Sequence, residues 1–211
     1  MPKAFLVTGT STGFGHDLIQ EVLNQGDIAI ATARNPASLR IENATKENHL
    51  SLALDVTNTE SIKAAFTQTI ERFQRVDVVV NNAGYGLRAA SKNTPTSKSE
   101  PRWNKWAVKG FTESIAKEMK PEWGIKLTCI EPGGFRTDWA GRSMAFTNRH
   151  PDHDHIDTKG SMMARNRTQP GDPKKTAKAF YQLAMMESPP LRILLGSDAF
   201  PAILARLEQE P

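Results

Sequence analysis

Thr8-Gly9-Thr10-Ser11-Thr12-Gly13-Phe14-Gly15 decides how the rest of this 211-residue chain is read. An apolar run, Ala4 to Val7, leads into it. Phe14, Leu18, Ile19, Val22 and Leu23 follow at helical spacing, with Gly26 as the stop signal. Glycines placed between a strand and a helix let the backbone turn sharply and approach a pyrophosphate. The free N–H groups and the dipole of the helix N-terminus then stabilise the anion. Three glycines at this spacing mean little alone; their position between the first strand and the first helix gives them weight.

The same alternation continues outward. The runs Ile28 to Ala33, Leu50 to Leu54 and Val76 to Val80 are short and almost wholly apolar, as strands buried on both faces are. Ile62, Phe66, Ile70 and Phe73 keep helical spacing between the last two of these. Farther on, Val108, Phe111, Ile115 and Met119 share a helix face, Ile125 to Ile130 reads as a strand, Asp172-Pro173 opens a helix, and Leu191 to Leu195 reads as a strand. This order predicts an α/β fold: a Rossmann-type, doubly wound parallel sheet with helices on both faces, in a single domain over residues 1–211. Two stretches interrupt it. Residues 87–103 carry no apolar period and read as a polar junction loop. Residues 139–170 read as a lid segment, with Trp139, Met144, Phe146, Met162 and Met163 placed to pack as short helices.

Composition narrows the function. Basic side chains number 27 and acidic ones 23, a net +4 scattered along the chain, which gives no footing for a nucleic-acid partner. The single cysteine, Cys129, excludes an internal disulfide and a cysteine-pair zinc site. No apolar run approaches the length of a membrane span, so the expectation is a soluble, cytoplasmic protein without a membrane partner. His150, Asp152, His153, Asp154, His155 and Asp157 crowd one polar stretch without a helical pair of histidines, and no metal site is assigned to them.

With these residues in place, the chain resembles the short-chain dehydrogenase/reductase family. Thr8-Gly9 with Gly13 and Gly15 matches that family's cofactor turn. Asn81-Asn82-Ala83-Gly84 matches its motif after the fourth strand, Asp55-Val56 its adenine-contacting pair, and Pro132-Gly133-Gly134 with Thr137 its segment beside the nicotinamide. The resemblance implies hydride transfer between a nicotinamide cofactor and a small carbonyl or alcohol, and leaves homo-oligomer formation open. Cofactor contacts are then expected at Gly9, Thr10, Ser11, Gly13, Phe14, Gly15, Arg34, Asp55, Val56, Asn82, Ala83, Gly84, Lys105, Pro132, Gly133 and Thr137. Thr32-Ala33-Arg34 carries no acid for a ribose 2′-hydroxyl, and Arg34 favours the 2′-phosphate, so NADP is expected in preference to NAD.

The catalytic half departs from the family. Lys105-Trp106-Ala107-Val108-Lys109-Gly110-Phe111 matches the segment that begins at the lysine of Tyr-x-x-x-Lys, making Lys105 the one catalytic residue assigned. Pro101 stands where the tyrosine belongs. Neither Tyr85 nor Tyr181 has a lysine four residues on, and only 20 residues separate Gly84 from Lys105, too few for the family's fifth strand and its catalytic serine. Ser91, Ser97 and Ser99 lie in the polar loop and receive no role. The chain thus reads as a family member with one central strand missing, whose 125–130 strand closes the gap by pairing directly with 76–80. Three readings remain: an impaired oxidoreductase, a cofactor-binding regulatory module, or a product of splicing or gene prediction whose full-length relative is the enzyme.

Overall fold

The computed structural model describes residues 1–84, 86–88, 101–141, 143–146 and 157–208, in two compact units. The first unit takes Met1–Gly84 together with Pro173–Met185. Its strands are β1 (Ala4–Val7), β2 (Ile28–Ala33), β3 (His49–Ala53) and β4 (Val78–Val80), with helices α1 (Gly13–Asn24) and α2 (Thr59–Phe73) between them. They form one parallel sheet in the order β3-β2-β1-β4, with Phe5 opposite Ala29 on one side and Val78 on the other. All four residues of β1 are buried, as a strand covered on both faces requires.

Alternation along β1 separates the two faces. Ala4 and Leu6 join Ile30, Leu52, Leu54 and Ala65 in a core that takes in Ile62, Phe66 and Phe73 of α2. Phe5 points the other way and stacks on Tyr181, ring centroids 5.6 Å apart. That tyrosine lies on a helix of the same unit, Pro173–Met185, where Phe180 meets Phe14 of α1 edge-on at 5.5 Å. The expected cover on both faces is present, and the helix opened by Pro173 supplies part of it. Local chemistry sets the ends: Asn58 caps α2 by accepting from Ser61 N–H, Gln74 closes it in a left-handed conformation, and Gly26 at φ +79° turns the chain into β2.

The second unit spans Tyr85–Asp172 and Met186–Pro211. It contains β5 (Gly86–Arg88), α3 (Pro101–Glu118), β6 (Cys129–Pro132), β7 (Met144–Phe146), α4 (Thr158–Ala164), β8 (Arg192–Leu195) and α6 (Ala199–Leu207); the Pro173–Met185 helix, α5, falls between α4 and β8 in the chain. Parallel pairing joins β5 to β7 and β6 to β8. Glu131 of β6 accepts two hydrogen bonds from the Arg192 guanidinium of β8 and an ion pair from Lys109 of α3. Burial pushes its carboxyl up, yet these two cations hold it below the ordinary range.

Several expectations need correction. The 125–130 strand does not pair with 76–80: the four-stranded sheet ends at β4, and β6 takes β8 as its partner. β6 instead forms its ladder with β8, Cys129 opposite Arg192 and Pro132 opposite Leu195, so its backbone groups are paired there. β6 also begins later than expected, at Cys129, while Ile125 stands 55% exposed. β4 begins at Val78 because Asp77 turns its carboxylate onto Ala4 N–H at 2.7 Å and is held there by the Arg75 fork. The junction is shorter than 87–103, since Gly86–Arg88 is a strand and Pro101 opens α3 at a position that needs no N–H; residues 89–100, with Ser91, Ser97 and Ser99, lie outside the described residues. In the lid, Met144 and Phe146 pack with Met162 as expected, but they lie on a strand with period two, not on a helix. Val108 and Phe111 are 60% and 66% exposed, so the shared apolar face of α3 is not a buried one.

Asp27 supplies a pH test of the first unit. Its two carboxylate oxygens accept from Lys3 N–H and from the Tyr181 hydroxyl, each at 2.8 Å. Burial, then the neighbouring Asp27 carboxylate, pushes the Tyr181 phenol up to about 12. The folded value lies above the unfolded one near 10, so this contribution is complete below about pH 10 and is lost as pH rises through about 12. Tyr181→Phe should remove that alkaline slope. Denaturant midpoints followed from about pH 8 to about pH 12 test it, and equal declines in both proteins would contradict it.

Candidate dinucleotide site

The glycine-rich turn is built on the end of β4. Thr8 Oγ1 accepts from Asn82 N–H and Ala83 N–H, both at 2.9 Å, and donates to the Val80 carbonyl at 3.3 Å. The Asn82 side chain answers by donating to the carbonyls of Thr8 at 2.8 Å and Gly9 at 3.1 Å. Thr10 is held from the other neighbour, its N–H and hydroxyl both donating to the Thr32 carbonyl of β2. A Cβ at Gly9, which sits at φ +70°, would stand 2.8 Å from Ala83 Cα; one at Gly15 would stand 2.6 Å from Asn82 Nδ2. Close packing against 82–83 therefore accounts for these two glycines, and Gly13 adopts φ +63° where α1 begins.

A ligand signal is separate from that packing. Thr12, at the α1 N-cap, makes no side-chain hydrogen bond to the helix, and no acidic residue occupies the first turn. A helix start with neither a Thr12 cap nor an acidic first turn keeps its positive dipole end, which suits an anion. His16 adds to this: Asp17, with the Arg40 carbonyl, holds its imidazole above its ordinary pKa and so favours positive charge near the same helix end. Ser11, Arg34, Asp55, Val56, Ala83 and Gly84 are exposed, Asn82 is half-buried, and all lie in the first unit. The Thr57 hydroxyl and N–H hold the Asp55 carboxyl below its ordinary range, with the Arg34 charge adding to the effect. Arg34 is thus placed near Asp55 at the ends of β2 and β3.

The remaining expected residues belong to the second unit. Pro132 ends β6, Gly133 N–H donates to the Leu195 carbonyl at 2.7 Å, and Gly134 N–H donates to Asp198 Oδ2 at 2.8 Å. Thr137 caps the short helical turn at Asp138–Ala140 through its hydroxyl. Lys105 lies within α3, whose first residue is Pro101; the side chains of both lie outside the described residues, as do Tyr85 and residues 150–156 of the His/Asp cluster, whose last member, Asp157, caps α4 by accepting from Gly160 N–H. Tyr181, the other tyrosine, is committed to Asp27. Among the described residues no group of three His, Cys, Asp or Glu side chains could hold a metal, and no helix is long and apolar enough to cross a membrane. Cys129, whose thiol burial and Glu131 push up, is a β6 residue with no sign of a nucleophile.

Sequence reading did not single out the Thr8 hydroxyl, Asp198, or Arg136, whose guanidinium donates to the carbonyls of Gln169 and Pro170. Thr8 was legible as the residue between strand and turn. The other two act across 33 to 64 residues with no local signal.

Comparison with known proteins agrees with this geometry. The sequence pattern of the short chain dehydrogenase family matches residues 3–104. An oxidoreductase of Botryotinia fuckeliana is 32% identical over 252 residues, covering 94% of this chain and 90% of that protein. An uncharacterized oxidoreductase of Schizosaccharomyces pombe is 29% identical over 247 residues, covering 94% and 83%. Among solved structures, a short-chain dehydrogenase from Streptomyces avermitilis superposes with a TM-score of 0.82 at 28% identity, over 99% of this chain and 93% of that one.

Thr8→Val keeps the shape of the side chain and deletes three hydrogen bonds at a residue only 4% exposed. The variant should lose about 1–3 kcal/mol of stability, from three part-buried hydrogen bonds given up at about 0.5–1.5 kcal/mol each. Urea unfolding measures it, and an unchanged midpoint would show that the turn does not depend on this hydroxyl.

Proposed function

The chain belongs to the short-chain dehydrogenase family, and from that premise we propose that it binds a nicotinamide dinucleotide, NADP in preference to NAD, as an internally shortened member with little or no turnover. The observation that carries this reading is the contrast between its two halves. The uncapped start of α1, the locked Gly9–Gly15 turn, Arg34 and Asp55 are all intact in one unit, whereas Pro101 opens α3 where the proton-donating tyrosine belongs. Alignments of 247 and 252 positions also exceed a chain of 211, so these relatives carry residues for which this chain has none.

Each retained group has a definite task. The N–H groups of the first turn of α1 hold the pyrophosphate, and Thr10, tied to Thr32, keeps the turn in register with β2. Arg34 pairs with the adenosine 2′-phosphate by charge-assisted hydrogen bonds, and Asp55-Val56 lies along the adenine. Lys105, Pro132, Gly133 and Thr137 serve the nicotinamide end. When bound, the cofactor supplies or accepts the hydride. The alcohol or alkoxide oxygen of the substrate still needs a proton donor and a polarising hydroxyl; Pro101 stands at the tyrosine's position, and no serine among the described residues is assigned the second role.

Wild type should bind NADPH more tightly than NADH, and Arg34→Ala should lose about 1.5–3 kcal/mol of NADPH binding while leaving NADH nearly unchanged. Fluorescence titration of both cofactors tests this, and equal affinities in wild type would exclude the preference. Turnover of simple aldehydes, ketones and secondary alcohols should be undetectable, because each missing group accounts for roughly 10²-fold or more in rate. Pro101→Tyr returns a phenol without its serine partner and should not restore activity; steady NADPH oxidation by either protein would contradict this assignment.

A further inference from the structure

Both nitrogens of one imidazole in the first unit face oxygens that only accept. His16 is the fourth residue of α1; its Nδ1 lies 3.4 Å from Asp17 Oδ1 and its Nε2 lies 3.1 Å from the Arg40 carbonyl oxygen. A neutral imidazole carries one N–H, so in either tautomer one of these contacts sets a bare nitrogen against an oxygen. Only the imidazolium donates to both. Two other charged groups stand around the ring. Glu42, just past Arg40, adds its negative charge, and the Arg40 guanidinium is turned onto the carbonyls of Ala37 and Leu39, at 2.9 Å each. The packing of α1 on α5 runs through Phe14, and His16, two residues on, lies about 200° around the helix from it.

Arg40 stands at the far end of the connection that leaves β2 through Arg34. The near part of that connection is held by its own short bonds. The Asn35 side chain accepts from Ala37 N–H at 3.2 Å, its carbonyl accepts from Ser38 N–H at 3.2 Å, and the Pro36 carbonyl accepts from Leu39 N–H at 3.1 Å. These bonds shape the turn, and the buried Leu39 side chain seats it. Past Leu39, the Arg40 carbonyl reaches α1 through His16, across 24 residues of chain. We propose that His16 is a proton-controlled latch: as the imidazolium it fastens the Arg40 end of this connection to the start of α1, and on losing its proton it releases that end. Asp17 raises the imidazole's pKa most, burial opposes the rise, and the Arg40 carbonyl and Glu42 add to it. The folded value therefore lies above the ordinary 6.5, so the latch is complete below that pH and is lost as pH rises through the folded value. The latch involves no ligand and stands apart from the dinucleotide reading above.

Heteronuclear NMR of the full chain reads the latch directly. The His16 ring should titrate above 6.5, and the Arg40 carbonyl carbon should shift with the same midpoint as its hydrogen bond weakens. His16→Gln keeps an N–H donor for that carbonyl and cannot titrate, so Arg40 should hold its acid-form shift from about pH 5.5 to about pH 8.5. Asp17→Asn removes the facing carboxylate and should lower both midpoints together. Between about pH 6 and about pH 8, protection of the Ser38 and Leu39 amides against hydrogen exchange should fall about fivefold in wild type relative to His16→Gln, the step from a charge-assisted to a neutral hydrogen bond. A ring midpoint at or below 6.5, an Arg40 carbonyl that does not follow the ring, or protection that changes alike in wild type and His16→Gln would overturn the proposal. The wild-type titration decides by itself if a variant does not fold.

Discussion

The hydroxyl of Thr8 ties the ends of β1 and β4 together, and the glycine-rich turn of the first unit depends on that tie. By accepting from Asn82 and Ala83 it brings the chain after β4 against the turn after β1. Contact is so close that Gly9 and Gly15 can carry no side chain. The turn's packing is therefore complete within the protein, while the start of α1 carries no side-chain cap from Thr12 and no acidic residue in its first turn.

In the second unit carboxylates do comparable work over longer distances. Glu131 draws Arg192 and Lys109 onto β6, fixing β8 and α3 relative to that strand. Asp198 holds the turn that follows β6. Glu131 is partly removed from water and keeps its place between two cations, which is the condition for retaining a charge there.

That Pro101 cannot supply a phenol in any conformation is readable from a single position. Whether the motifs after β1, β2, β3 and β4 meet is not readable from the motifs alone. In the first unit they lie at one end of one sheet, because each follows a parallel strand of it.

Sequence by itself determined the α/β class, β1 and β2 to the residue, the helices α1 and α2, and the glycine turn, because these are set by hydrophobic period and turn chemistry within a dozen neighbouring residues. It also showed that Tyr181 has no lysine four residues on, though not that the side chain would pack on Phe5 and donate to Asp27. Tertiary structure alone decided that α5 covers the first unit, that β6 joins β8, that Gly86–Arg88 finds a partner in Met144–Phe146, and that Asp198 reaches Gly134. Those outcomes turn on which edges are buried and which buried groups lack a partner. Both are properties of elements brought together across 58 residues (Gly86 to Met144) to 176 residues (Phe5 to Tyr181), and no local period or turn signal encodes them.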